Sequence, residues 1–222
     1  GAALALNMAE RGIAVAVANR SAAAVPAFLH RAGALADHVT TADDLAALIE
    51  ALAPPRLLLA MIPSTAPMDD FLDSVLPLLS PGDTVIDAGN AHFGETQRRA
   101  ARLEAVGLHF VGLGVSGGED GARTGPSMMF GGSAESWSRL APILTAIAAR
   151  YGEDPCVARL GPDGAGHFVK TVHNGIEYAD MQMLAEVTGL LRAGAGLTAQ
   201  EVAGVFEAWN AGPLESYLVD VS

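Results

Sequence analysis

The chain has 222 residues, half of them hydrophobic and 17% charged. That composition suits one or two globular domains and excludes a disordered chain. A net charge of −12 argues against nonspecific nucleic-acid binding, and no apolar run is long enough to span a bilayer.

Gly1 to Gly12 reads as a helix that starts abruptly. Ile13 to Asn19 is a continuous apolar run suited to a buried parallel strand. Ala22 to Ala32 and Ala42 to Ala53 read as helices, and Arg56 to Ile62 as a strand. A helix over Met68 to Leu79 leads to a turn and a strand, Thr84 to Asp87. Next come a helix from Thr96 to Val106, a strand in LHFVGLG, a short strand in MMFGG and a helix from Ala134 to Arg150. Such alternation predicts an α/β domain with a doubly wound parallel sheet over residues 1–162. Strand signals stop after about Gly161. From Asp163 onward a long helix, then Ala199 to Trp209 and Leu214 to Val221, predict the start of an all-α segment, residues 163–222.

Several loops carry candidate binding groups. A dinucleotide fold needs a strand before its glycine-rich turn. If Gly1 is the last glycine of such a turn, the first strand and two glycines are missing. The next strand ends in Asn19-Arg20-Ser21. No acid stands there to repel a ribose 2′-phosphate, and Arg20 offers a planar fork for one; a turn with a surface arginine reads the same way. Asn90, in IDAGN, lies just past a strand's carboxyl end, where open α/β sheets bind ligands. Ser116-Gly117-Gly118 suits either a flexible loop or a row of backbone N–H groups facing an anion.

The stretch GHFVKTVHNGIEYADMQ carries more chemistry. His173, Asn174, Glu177 and Tyr178 follow Lys170 at steps that keep all five side chains on one helical face. Phe168, Val169, Val172 and Ile176 lie across the helix and supply an expected packing surface. Lys170 and Glu177 stand two turns apart, roughly 10 Å along the axis, well placed to flank a small substrate. A desolvated lysine there can act as a base and a desolvated carboxyl as an acid.

GAGHFVKTVHNGIEYADMQ, VSGGEDGARTGPSMM, IDAGN, NRS and FEAWNAGPLESYL together resemble the decarboxylating 6-phosphogluconate dehydrogenases, along nearly the whole chain. The resemblance implies a Rossmann-like NADP-binding domain followed by an all-α domain that also forms a homodimer, with no metal. It implies oxidation of 6-phosphogluconate at C3, loss of C1 as CO₂ and release of ribulose 5-phosphate. By position, Lys170 is similar to the family's general base and Glu177 to the acid that protonates C1 of the enediol. Asn90, Ser116, Gly117, Gly118, His173, Asn174 and Tyr178 match substrate contacts. Gly1, Asn19, Arg20, Ser21, Met61 and Asn90 match coenzyme contacts.

The chain departs from the family's pattern at Pro63 and Thr65, where a Lys and a Gly are common, at Ala88 for a glycine and at Phe130 for a proline. The family's further phosphate-binding cations lie beyond Ser222, so the sequence reads as a fragment. Cys156, the only cysteine, fits a reducing cytoplasm, and no membrane partner is expected. Two rival readings are another β-hydroxyacid dehydrogenase, against which Glu177 and the SGG loop weigh, and a non-catalytic NADP-binding relative, against which the Lys170/Glu177 pair weighs.

Overall fold

The computed structural model describes residues 1–21 and 23–222. Its elements are α1 (Ala2–Glu10), β1 (Val15–Val17), α2 (Ala24–Ala32), β2 (Val39–Thr41), α3 (Leu45–Glu50), β3 (Leu57–Ala60), α4 (Ala66–Val75), β4 (Thr84–Asp87), α5 (Phe93–Glu104) and β5 (His109–Ser116). There follow α6 (Gly118–Thr124), β6 (Ser127–Gly131), α7 (Ala134–Ile147), β7 (Arg150–Tyr151), β8 (Asp154–Pro155), β9 (Val157–Gly161), α8 (Ala165–Gly189), α9 (Ala199–Asn210) and α10 (Tyr217–Asp220). Ala22, where a helix was expected to begin, lies outside the described residues. Compactness divides the chain into Gly1–Thr171 and Val172–Ser222.

The first unit holds a five-stranded sheet in the order β3-β4-β5-β6-β9. β3, β4 and β5 run parallel, in the register Leu59, Ile86, Val111. Successive residues of a strand face opposite ways. Ile86, Val111 and Leu113 therefore pack with Leu4 of α1 and Leu144 of α7, while Val85 and Phe110 pack on the other face with Met68, Leu72 and Leu103. This is the two-sided burial that a parallel sheet requires.

One strand departs from the parallel expectation. β6 runs antiparallel to β5, pairing Ser127 with Ser116. Only residues 117–126 separate the two strands, and α6 takes up most of them. A parallel crossover needs a dozen residues or more, so the chain turns back instead. β9 then pairs parallel to β6, although its burial pattern is mostly exposed and its sequence carries little strand signal. The expected helix over Ala42 to Ala53 is shorter: Asp44 caps α3 by accepting a hydrogen bond from the Ala47 backbone N–H. The expected helix to Arg150 ends at Ile147, and Arg150 opens a two-residue hairpin strand instead.

β1 and β2 form a separate parallel pair. Among the described residues β1 bonds only to β2, and β3 only to β4, so each has an open edge. A groove of about 1280 Å³ is lined by Val15 and Val17 of β1, Leu57 and Leu59 of β3, and Leu4 and Met8 of α1.

The second unit comprises the later turns of α8, a π-helical turn over Leu190–Gly194, α9 and α10. Thr198 and Glu201 form a capping box at the start of α9. Val202, Phe206 and Val219 make its core. Among the described residues no helix is long and apolar enough to cross a membrane.

Candidate active site

The groove collects four of the six expected coenzyme residues: Gly1, Asn19, Arg20 and Met61. Gly1 caps α1, and a Cβ on it would stand 3.7 Å from that of Met61. The Asn19 carboxamide oxygen accepts a 2.9 Å hydrogen bond from the Ser21 backbone N–H, which fixes the turn that presents Arg20. Arg20 is exposed and has no acidic partner among the described residues. Pro63 also lines the groove, so the departure from the family's pattern falls inside this site.

Asn90 and the Ser116–Gly118 loop share the carboxyl end of the sheet, because β4 and β5 are parallel neighbours. Asn90 is exposed, three residues past the end of β4. Ser116 closes β5, and Gly117 and Gly118 follow with φ of 121° and 64°. Both angles fall where an L side chain is strained, which is a physical reason for two glycines there. α6 is held beneath the loop by Asn7, fully buried, whose Nδ2 donates to the Ala122 and Ile147 carbonyls at 3.0 and 3.1 Å.

Lys170 reaches this region through close packing of α8 on β5 and β6. A Cβ on Gly166 would lie 2.3 Å from the Gly112 carbonyl oxygen and 2.4 Å from that of Met129. A Cβ on Gly114 would lie 2.6 Å from the Lys170 Cβ. Glycine at both positions lets the helix backbone sit directly on the strands. Lys170 is thereby buried to 7% exposure against Gly114, two residues before Ser116 on the same strand.

A buried polar network that sequence reasoning missed surrounds these groups. Arg99 of α5, 1% exposed, forms a bidentate pair with Asp69 at 3.1 and 2.9 Å. It also donates to the carbonyls of Ser64 and Thr65, in the loop after β3. The Arg99 and Arg98 guanidiniums hold the Asp69 carboxyl well below the usual carboxylate range. Asp87, at the end of β4, accepts from the Ser64 hydroxyl at 3.3 Å and the Gly89 backbone N–H at 2.9 Å. His167 Nδ1 lies 2.7 Å from the Thr96 hydroxyl. Burial pulls the His167 pKa down, against a smaller opposing pull from Asp87. A signal for His167 was present: it precedes Lys170 by the same step of three that leads on to His173.

On the second unit's turns of α8, His173 Nδ1 stands 3.3 Å from the Asn174 side-chain oxygen and 3.5 Å from Glu177 Oε2. Glu177 therefore pairs one turn back, at i,i+4. Tyr178 is 70% exposed. The expected packing residues Val172 and Ile176 are also exposed, at 48% and 61%. Phe168 is half exposed and packs edge-on against Phe93 at 5.4 Å.

Residues 1–161 match the NAD binding domain of 6-phosphogluconate dehydrogenase, and residues 166–222 match the C-terminal domain of 6-phosphogluconate dehydrogenase. Two relatives come from Bacillus subtilis (strain 168). The NADP(+)-dependent, decarboxylating 6-phosphogluconate dehydrogenase is 44% identical over 99% of this chain and 46% of its own length. The NAD(+)-dependent, decarboxylating enzyme is 43% identical over 100% of this chain and 47% of its own. The solved structure of Plasmodium falciparum 6-phosphogluconate dehydrogenase, described apo, with its cofactor NADP+ and with its substrate 6-phosphogluconate, superposes with a TM-score of 0.94. It is 34% identical and covers 100% of this chain and 47% of its own. The chain thus spans about half the length of the relatives it matches. The two family matches, taken with a buried lysine beside a Ser-Gly-Gly loop at the end of a Rossmann-like sheet, show that the chain belongs to the 6-phosphogluconate dehydrogenase family.

Proposed function

We propose that this chain supplies the coenzyme domain, residues 1–162, and the start of the helical substrate domain, residues 163–222, of an NADP-dependent enzyme that oxidatively decarboxylates 6-phosphogluconate to ribulose 5-phosphate. The observation that carries this reading is the burial of Lys170 against Gly114, two residues upstream of Ser116-Gly117-Gly118.

The residues present fit the coenzyme. Arg20, exposed on the turn that Asn19 and Ser21 fix, is placed to form a bidentate pair with a 2′-phosphate, and Gly1 and Met61 line the same groove. Bound NADP supplies the hydride acceptor. The relatives named for NAD and for NADP are almost equally similar to this chain, so overall identity does not discriminate between the coenzymes. Arg20 does.

Lys170 takes the proton of the substrate's 3-hydroxyl while the C3 hydrogen departs as hydride. The bond from C1 to C2 then breaks, its electron pair passes to the C3 carbonyl, and CO₂ leaves. Lys170 returns its proton to the C3 oxygen as the enediol forms. Glu177 then protonates the carbon that was C2 of the substrate and becomes C1 of the product, while Lys170 takes back the proton of the C3 hydroxyl, giving the product ketone. Asn90, Ser116, Gly117, Gly118, His173, Asn174 and Tyr178 hold the substrate; the two glycines leave backbone N–H groups open to an anionic oxygen.

Exposed apolar side chains on α8, among them Ile176, Met181 and Met183, suit burial by a second copy in a cytoplasmic homodimer. The test is an assay of the full-length protein with 6-phosphogluconate and either coenzyme. Equal turnover with NAD and NADP would refute the role of Arg20. No turnover with either would refute the reading as a whole.

A further inference from the structure

Asp87, Thr96, Arg99 and His167 have no part in the chemistry above, yet each is at most 1% exposed. Buried polar groups are costly unless partnered. Two atoms here lack a hydrogen-bond partner among the described residues: Asp87 Oδ2 and His167 Nε2. Arg99 Nη1 stands 3.7 Å from that Asp87 oxygen, a charge contact longer than a hydrogen bond.

The surroundings of His167 select its tautomer. On one side Nδ1 meets the Thr96 hydroxyl, which can donate or accept. The other ring nitrogen, Nε2, is buried and has no hydrogen-bond partner among the described residues. The Thr96 hydroxyl stands 2.7 Å from Nδ1 and 3.4 Å from the His92 carbonyl, so its proton goes to the nearer Nδ1 and the ring proton to Nε2. Burial keeps the ring neutral. The result is a neutral ring hydrogen-bonded to α5, the helix that follows the turn Asp87–Asn90.

Helix and strand periods place this ring in register with Lys170. His167 and Lys170 are one turn apart on α8. Gly112 and Gly114 are two residues apart on β5, so they share a face of the sheet. A Cβ on Gly112 would lie 2.9 Å from His167 Nδ1, and one on Gly114 would lie 2.6 Å from Lys170 Cβ. The two side chains cross the strand at its two successive gaps.

We propose that His167 is a positioning residue for catalysis: through its hydrogen bond to Thr96 it ties the first turns of α8 to α5, the helix that follows the Asp87–Asn90 turn, so that Lys170 and Asn90 are held toward the same substrate. The inference rests on the reading of Lys170 as the base.

The test uses three variants of the full-length enzyme. His167→Leu removes both ring nitrogens, His167→Gln restores a side-chain amide that can bond the Thr96 hydroxyl, and Thr96→Val removes the partner that orients the ring. A misplacement of about 1 Å in a reacting group costs up to about a hundredfold in rate. His167→Leu is expected to lower kcat with 6-phosphogluconate by at least about tenfold and leave the KM for NADP within about twofold. His167→Gln is expected to recover most of that loss. Thr96→Val, which also serves should the leucine variant fail to fold, is expected to show the same split with a smaller fall in kcat. A folded His167→Leu or Thr96→Val enzyme with unchanged kcat overturns the proposal. So does a His167→Gln enzyme as impaired as the leucine variant, or a KM for NADP that rises in step with the loss of kcat. An inactive wild-type enzyme would instead refute the functional reading beneath it.

Discussion

Gly114→Ala tests the packing that delivers Lys170. The new Cβ would stand 2.6 Å from Lys170 Cβ, 3.1 Å from its Cγ and 3.3 Å from the Gly166 carbonyl oxygen. Ordinary contact between such carbons is about 3.5–4 Å, so helix and strand must separate by about 1 Å. The side chain cannot rotate clear, because the first clash is with its Cβ. Nor is there slack elsewhere, since Gly166 already packs directly on the Gly112 and Met129 carbonyls. Overpacking of this kind costs about 1–3 kcal/mol. For a unit of this size each kcal/mol lowers Tm by about 2–4 °C. A 1 Å displacement of the base also costs up to about a hundredfold in kcat. Initial rates of NADP reduction at saturating 6-phosphogluconate, with thermal melts of the same samples, measure both effects. Gly204→Ala in α9 is the control: nothing lies within 4 Å of its Cβ position, and the change should stabilise the helix by about 1 kcal/mol without altering kcat. A Gly114→Ala enzyme with wild-type Tm and kcat would refute the packing argument.

Other expected outcomes follow from the same groups. Arg20→Ala should raise the KM for NADP by about tenfold or more, the equivalent of about 1.5–3 kcal/mol for a charged hydrogen bond, and leave that for NAD nearly unchanged. An unaltered NADP/NAD ratio would count against the assignment. Lys170→Met should lower kcat by about 10²–10⁴-fold, and Glu177→Gln should slow formation of ribulose 5-phosphate by about a hundredfold, both measured by stopped-assay product analysis. Below the ordinary histidine value of 6.5, the unfolded chain takes up a proton that buried His167 refuses. Stability should therefore fall as pH drops from about 6.5 toward the lowered folded value. His167→Leu should flatten that segment of a plot of denaturation midpoint against pH; an equally steep segment would show that other groups cause it.

The parts of the fold that were legible in the sequence are those that local pattern dictates. The strand read at Thr84–Asp87 becomes the fully buried β4, and Gly117-Gly118 sit at positive φ, as their lack of a Cβ permits. The direction of β6 was not legible, because it follows from the short β5–β6 connection and not from the composition of the strand. β2 and β9 carry too few apolar residues to stand out. At the site, the period of 3.6 singled out Lys170 and its face, but period alone does not say which face is covered. The structure leaves Val172 and Ile176 exposed and buries Lys170. The network of Asp87, Thr96, Arg99 and His167 joins residues far apart in sequence, so no local pattern marks it.

The central claim is that a buried lysine beside the Ser-Gly-Gly loop drives oxidation coupled to loss of CO₂. Counting CO₂ released per NADP reduced, in the full-length protein and its Lys170→Met variant, tests it most directly. One CO₂ per NADP reduced in the wild type, with both falling together in the variant, is the predicted result. NADP reduction without CO₂, or a variant that retains both, would contradict the account.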